Sequence, residues 1–191
     1  YDREFLRHYT NATYLIGADG RYVRDPQTGK PLVGNTATGA VHPFDAVPPE
    51  ETALEGAFDV GDQRVRTSFD AFKEHLRQYT PEHVSEITTV PAATIRRIAR
   101  EMAEAAQIGQ MITLGGQTLP LRPAASCWYR GVSAHRHSML NGMIVGQLNV
   151  LLGAVDVPGG LLNVLAAGPT WMPKADPDGL LTSGNPYADH M

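Results

Sequence analysis

Cysteine is almost absent from this chain. Among its 191 residues the one cysteine is Cys127, so an internal disulfide cannot form. A single thiol also cannot hold an iron–sulfur cluster or a zinc ion by itself. Because Cys127 precedes Trp128 in an apolar stretch, we expect a buried structural thiol, and the sequence predicts no metal ligands.

An excess of positive charge is also missing. The net charge is −4 and the isoelectric point is about 6.0. This balance argues against a general nucleic-acid-binding protein, because such proteins neutralise phosphates with extra Lys and Arg. No apolar run is long enough to span a bilayer, so we expect no direct membrane insertion.

The first residues, Tyr1-Asp2-Arg3-Glu4, lack the basic start of a secretory signal. They also lack Met and fall inside a predicted helix, from which we expect an internal fragment of a longer protein. The compartment, cytoplasmic or periplasmic, is left open.

Hydrophobic residues make up 42% of the chain, enough for a sizeable core in one domain or two small lobes. Helical spacing of apolar residues predicts the tail of a helix over residues 2–9. Residues 34–61 are rich in Gly, Pro, Ala and Thr and predict a long loop. Short extended pieces between turn signals predict a small β-meander formed by Tyr14-Leu15-Ile16, Tyr22-Val23 and Pro31-Leu32-Val33.

Helix and strand candidates follow one another in the middle of the chain, without a regular βαβ alternation. Apolar spacing predicts a helix over residues 69–79, and Thr80-Pro81 and Thr89-Val90-Pro91 each begin another. Strand candidates at residues 111–114 and 118–121 flank a Gly-Gly turn, which predicts a hairpin. Together these helix and strand candidates indicate an α/β fold.

A long apolar helix is predicted from Ser138 to Leu152, after a buried strand candidate, Ala124 to Tyr129. Because the helix is apolar over most of its surface, we expect it to be buried on several sides. Met139 and Met143 are then core residues.

The segment between that strand and that helix is the best candidate for binding chemistry. Such a loop exposes unpaired backbone N–H groups at the positive end of the helix dipole, which favours an anion. Gly131 would let a ligand approach the backbone closely, and Arg130 and Arg136 add positive charge. His135 or His137 could donate a hydrogen bond or relay a proton. The pattern therefore suggests a phosphate-type site.

The pattern also fits a surface without a ligand. Many α/β domains have a glycine in such a turn, and a basic helix start can be a salt-bridged surface. No Gly-x-Gly-x-x-Gly or Gly-x-x-x-x-Gly-Lys-Ser/Thr fingerprint is present. His135 and His137 lie two residues apart, so they would not share a helix face as metal ligands do.

Several segments, in this order, resemble the large catalytic subunits of the dimethyl sulfoxide reductase family of molybdopterin oxidoreductases. No single segment is specific, but their order and spacing over residues 1 to about 160 are. The matching segments are residues 1–11, Tyr79-Thr80-Pro81-Glu82, residues 90–101, Arg130-Gly131-Val132-Ser133-Ala134-His135, residues 148–153 and Val157-Pro158-Gly159-Gly160.

The resemblance implies a fragment of the Rossmann-like cofactor-binding domains with a small β-meander insertion. Residues 1–130 would end one α/β cofactor-binding lobe, including the meander and the loop insertion. Residues 131–165 would begin the second α/β lobe, and residues 166–191 would form an irregular tail.

The resemblance also implies a bis(molybdopterin guanine dinucleotide) cofactor with molybdenum or tungsten, which carries out two-electron redox of a small substrate. The cofactor-binding residues would be Arg130, Gly131, Val132, Ser133, Ala134, His135 and Arg136. Some relatives carry Gln at the position of Ala134, and His135 or Arg136 would substitute for that amide here. The catalytic residues stay unassigned.

The family's cluster-binding cysteines and its metal-binding side chain have no counterpart in this sequence. We therefore expect an iron–sulfur cluster in a missing N-terminal part, and no catalysis by the fragment alone. The expected partners are an iron–sulfur electron-transfer protein and the rest of the large subunit. A non-catalytic module that binds an anion or nucleotide is the alternative, whereas an independent Rossmann domain is disfavoured by the missing fingerprint.

Overall fold

Side-chain caps mark the start of several helices in the computed structural model, which describes residues 1–134 and 136–161. The side chains of Asp2, Thr67 and Thr80 each accept a hydrogen bond from the backbone N–H three residues ahead, at 3.0–3.2 Å. The predicted start at Thr80 is thereby confirmed, whereas Asp2 caps the first turn of a helix that the sequence pattern predicted as the tail of one. The helices are α1 (Arg3–Tyr9), α2 (Ser68–Leu76), α3 (Pro81–Thr88), α4 (Ala92–Ala105), α5 (Arg130–Ser133) and α6 (Ser138–Leu152).

The strands pair into three small antiparallel sheets in the order β1-β5-β4, β2-β3 and β6-β7. The hairpin β6-β7 has the predicted Gly-Gly turn, in which Gly115 and Gly116 both have positive φ. This is the backbone conformation that a two-residue hairpin turn requires. The strands are β1 (Leu15–Ile16), β2 (Leu32–Gly34), β3 (Val41–Pro43), β4 (Ala57–Val60), β5 (Gln63–Thr67), β6 (Met111–Leu114) and β7 (Gln117–Pro120).

The prediction of a long loop over residues 34–61 is wrong. This region contributes β3, β4 and two 3-10 turns, Phe44–Ala46 and Pro49–Glu51. The meander is present at β1 and β2, with isolated bridges from Ile16 to Tyr22 and from Tyr14 to Val33. Its first strand also pairs with β5, so the insertion is a larger β-unit than the sequence pattern predicted.

Three small clusters form the core of the described residues. The first joins Leu6 of α1 to Leu54 and Phe69, and the second lies between the sheets around Leu15. The third packs the end of α6 against the end of α4 through Leu152 and Ala106. Each cluster contains few buried residues, so we expect hydrogen bonds and ion pairs to contribute to the stability of the fold as well.

Helix α6 is not buried on several sides, contrary to the sequence prediction. Met139 is 78% exposed and Met143 is 62% exposed, so neither is a core residue. An apolar pattern alone predicts that a helix has a partner, but it does not say whether this chain supplies it. Among the described residues, no helix is both long and apolar enough to cross a membrane.

Residues 124–129 do not form the predicted strand. They run extended along α6, and Asn149 of that helix takes the place of a neighbouring strand. The amide of Asn149 accepts from the Ser126 N–H and donates to the Ser126 carbonyl, both at 2.7 Å. Cys127 is exposed rather than buried. The fold is thus mixed α/β. The strands named above pair antiparallel, whereas a Rossmann-like domain has a mostly parallel sheet, so the Rossmann-like assignment stays a prediction.

Candidate functional site

The segment that the sequence singled out is a helical turn followed by a helix start. Arg130 to Ser133 form the single turn α5, in which the Val132 N–H donates to the Tyr129 carbonyl at 3.1 Å. The predicted strand–loop–helix arrangement is therefore wrong in its first two parts. The long helix, in contrast, begins at Ser138 as predicted.

The described residues of this segment lie together on the surface. Arg130, Gly131, Ala134 and Arg136 are exposed, and Val132 is half-buried. Ser133 belongs to α5, and His135 lies outside the described residues. A Cβ on Gly131 would meet no atom of the described residues within 4 Å, so packing among those residues does not require glycine there. Within the described part of the chain, the space above Gly131 is open to a ligand or another polypeptide.

The start of α6 is electropositive. Backbone N–H groups in the first turn of an α-helix have no partner within the helix, and the helix dipole adds positive potential. Within the described part of the chain, no side chain caps this turn. Arg136 and His137 precede it, and both are exposed. This arrangement can attract a phosphate or a carboxylate.

Two contacts hold the site segment against α6. The Trp128 ring covers Gly142 so closely that a Cβ at Gly142 would lie 2.6 Å from the ring. The hydroxyl of Ser126 donates to the Val145 carbonyl at 2.8 Å, beside the amide of the fully buried Asn149. The sequence analysis missed these positioning residues. An asparagine inside the apolar run Leu148-Asn149-Val150 was the available signal, because a buried amide needs partners.

The two described cavities lie away from this segment. One, of about 220 Å³, is lined by α1, α2 and the C-terminal half of α6. The other, of about 560 Å³, lies between α1 and residues 44–52. In the described ranges, no group of three or more His, Cys, Asp or Glu side chains could hold a metal ion. The candidate site is thus an exposed cationic surface rather than an enclosed pocket.

Comparison with known proteins gives three informative relatives. A sulfite dehydrogenase subunit of Allochromatium vinosum is 32% identical over 84% of this chain and 19% of its own length. The formate dehydrogenase major subunit of Haemophilus influenzae is 26% identical over 85% of the chain and 14% of its own length. The alpha subunit of the perchlorate reductase of Dechloromonas aromatica is 29% identical over 62% of this chain and 17% of its own length.

These relatives are catalytic subunits of molybdopterin oxidoreductases. The chain is related to those subunits. The resemblance noted from the sequence is therefore confirmed. The relatives are named as dehydrogenases or reductases, which confirms the predicted class, oxidoreductase. The chain spans less than a fifth of the length of these curated relatives.

No protein-family profile matches the chain. No solved structure matches it either. The relationship to molybdopterin oxidoreductases therefore stands on sequence similarity to individual subunits. The assignment of residues 130–136 to a cofactor site stays a prediction.

Proposed function

We propose that the chain contributes to the catalytic subunit of a molybdenum or tungsten oxidoreductase, which carries out a two-electron reaction on a small substrate. The observation behind this proposal is 32% identity to a sulfite dehydrogenase subunit over 84% of the chain. The cofactor would be a pair of molybdopterin guanine dinucleotides, and the metal that they hold would supply the redox chemistry.

The residues that we propose to contact the cofactor are Arg130, Gly131, Val132, Ser133, Ala134, His135 and Arg136. Pterin dinucleotides carry phosphates, and the chemistry of this segment suits them. Arg136 would pair with a phosphate oxygen, and the first-turn N–H groups of α6 would donate to another. The open space above Gly131 supports a ligand approaching the backbone closely.

The exposed position of this surface has a consequence for how binding would work. A dinucleotide needs contacts on several sides, and this chain offers one open face. We propose that residues 1–130 and 131–165 belong to two Rossmann-like lobes, and that other segments of the catalytic subunit close the site. The predicted tail, residues 166–191, lies outside the described residues. The chain alone would then not turn over substrate.

The proposed partners follow from the same assignment. Electrons must leave or reach the metal, so we propose an iron–sulfur cluster near the cofactor and a separate electron-transfer protein that carries further clusters. Neither would use the described residues as cluster ligands, because Cys127 is a lone thiol.

Metal and pterin analysis of the complete gene product tests this function. The protein should be made in a host that supplies the cofactor, and it should contain about one molybdenum or tungsten per chain with two pterin dinucleotides. Arg136→Ala should lower both contents together. Arg97→Ala is the matched control, because Arg97 is an exposed arginine paired within α4 to Glu101 at 2.8 Å.

Two results would count against these assignments. Absence of both metal and pterin would leave a non-catalytic module that binds an anion or a partner protein as the better function. If both Arg136→Ala and His135→Ala retain full cofactor content and turnover, the oxidoreductase function would stand, but residues 130–136 would not be the cofactor contact.

A further inference from the structure

The larger cavity of the described residues combines a half-buried arginine with aromatic side chains. It has a volume of about 560 Å³ and lies between the last turn of α1 and the 3-10 turns after β3. This volume is in the range of small-molecule sites, which are roughly 300–1,000 Å³. The lining residues used below are Arg7, His8, Tyr14, Phe44, Asp45 and Pro48.

The guanidinium of Arg7 is hydrogen-bonded at Nη1 but not at Nε. Its Nη1 donates to Glu4 Oε1 at 3.1 Å. Its Nε is buried, and no group of the described residues accepts a hydrogen bond from it. Among the buried side-chain nitrogen and oxygen atoms of the described residues, Nε is the one in this situation. A buried donor without an acceptor destabilises the fold, so hydrogen bonding to an acceptor from outside the chain would be favourable.

The neighbouring charges do not satisfy Arg7 Nε. Glu4 is 65% exposed at its side chain and lies on the opposite edge of the guanidinium. Asp45 also lines the cavity, but Lys30 forms an ion pair with it. His8 adds a second basic group, whose Nε2 lies 3.8 Å from the same Glu4. The cation facing the cavity is therefore Arg7, and its carboxylate partner is largely in water.

Aromatic and aliphatic side chains line part of the cavity. The rings of Tyr14 and Phe44 pack with centroids 5.5 Å apart. Pro48 and Val47 continue the surface, and Val47 is buried. A flat apolar group would find aromatic and aliphatic contacts here, while a charged head would be placed towards α1.

We propose that this cavity binds a carboxylate attached to a flat apolar group, such as an aromatic ring. The Nε and Nη2 of Arg7 would each donate a hydrogen bond to one carboxylate oxygen. This edge of the guanidinium has the planar, two-donor geometry that recognises a carboxylate. Because Nε is buried while 17% of the side chain stays exposed, binding rotates the guanidinium slightly towards the cavity. The exposed ion pair with Glu4 is weak enough to permit this. The carboxylate belongs either to a free small molecule or to an acidic side chain beside an aromatic one in a polypeptide.

Saturation-transfer NMR on the complete gene product tests the proposal and separates the two sources. The free-molecule probe is benzoate, with benzyl alcohol as its uncharged analogue. The peptide probe is acetyl-aspartyl-phenylalanine amide. At least one acidic probe should bind saturably, and benzyl alcohol should bind at least about tenfold more weakly, as expected for loss of a charged hydrogen-bonded pair.

Three variants make the test specific to this site. Arg7→Gln should weaken binding of the acidic probe at least about tenfold. Arg7→Lys keeps the charge and the aliphatic packing but lacks the two-donor edge, so it should also bind more weakly than the native protein. Arg64→Gln is the control, because Arg64 is an exposed arginine paired to Asp59 at 2.8 Å, and it should bind as the native protein does. Failure of both acidic probes, or equal binding by all variants, would overturn the proposal.

Discussion

Asp2 and Arg122 form a buried ion pair that ties three separate parts of the chain together. Arg122 Nε and Nη2 both donate to Asp2 Oδ2, at 3.0 and 2.6 Å, and the two side chains are 6% and 7% exposed. The other oxygen of Asp2 caps α1, and the Asp2 N–H donates to the Leu151 carbonyl at the end of α6. Arg122 also donates to the carbonyls of Gln110 and Leu121.

Removing one partner of this pair should destabilise the chain strongly. Asp2→Ala leaves a buried guanidinium without its carboxylate and removes the cap, which should lower the free energy of unfolding by about 3–5 kcal/mol. Urea denaturation measures the change. Asp59→Ala is the control, since its ion pair with Arg64 is exposed and should contribute less than about 1 kcal/mol. An equal loss of unfolding free energy in the two variants would show that the buried ion pair stabilises the chain no more than the exposed one.

Two glycines of α6, four residues apart, should respond differently to alanine. A Cβ at Gly146 meets no atom of the described residues within 4 Å, so Gly146→Ala should stabilise the helix by about 0.5–1 kcal/mol. A Cβ at Gly142 would lie 2.6 Å from the Trp128 ring, so Gly142→Ala should displace the ring and lose that gain. Trp128 fluorescence in a Trp171→Phe background reports the displacement. An unchanged spectrum in Gly142→Ala would refute the packing of Trp128 on α6.

The single cysteine should react in the folded protein. Cys127 is exposed, so a thiol reagent such as dithionitrobenzoate should modify it in native buffer without urea. Cys127→Ser should change the free energy of unfolding by less than about 0.5 kcal/mol, as is usual at exposed positions. Protection until the chain unfolds would support the buried thiol that the sequence suggested.

Acid should weaken the cluster formed by Glu55, Tyr1 and Lys73. The hydrogen bond from Tyr1 lowers the pKa of Glu55 below its ordinary value of 4.5, and the hydrogen bond from Lys73 lowers it further. Because the folded pKa is lowered, the ionised carboxylate stabilises the fold above pH 4.5, and this contribution is lost as the pH falls through the folded pKa.

Glu55→Gln removes this titration, so its unfolding free energy should change less with pH below 4.5 than that of the native chain. Glu86→Gln is the control, since the Glu86 side chain is 80% exposed. Parallel pH curves for the native chain and Glu55→Gln would contradict the contribution of this cluster.

Elements defined by local signals were predictable from the sequence. Thr80 followed by Pro81 fixes the start of α3 through a side-chain cap and a preset φ, and both act within four residues. The Gly115-Gly116 turn likewise defines the hairpin β6-β7 by itself. Helix α6 was predicted with its observed bounds, Ser138–Leu152, because its apolar run ends at Gly153, where φ is positive.

Elements defined by distant partners were not predictable. Residues 124–129 are apolar enough for a strand, but Asn149 satisfies the Ser126 backbone where a neighbouring strand would have done so. Strand β4 pairs with β5, and burial alternates along both, but they are only 4 and 5 residues long, so the pattern is too short to stand out beside the neighbouring Gly and Pro residues. At the candidate site, the sequence identified a cluster of exposed cations, but it could not show that Arg130 to Ser133 form a helical turn.

Asp2 and Arg122 are 120 residues apart, and this separation sets an order of events during synthesis. A ribosome adds roughly 5–20 residues per second, so Asp2 waits on the order of ten seconds before its partner exists. Until then the cap on α1 can form, but the ion pair cannot. The contacts that join α1 to Arg122 and to the end of α6 therefore form only after the chain has been made past Arg122 and Leu151.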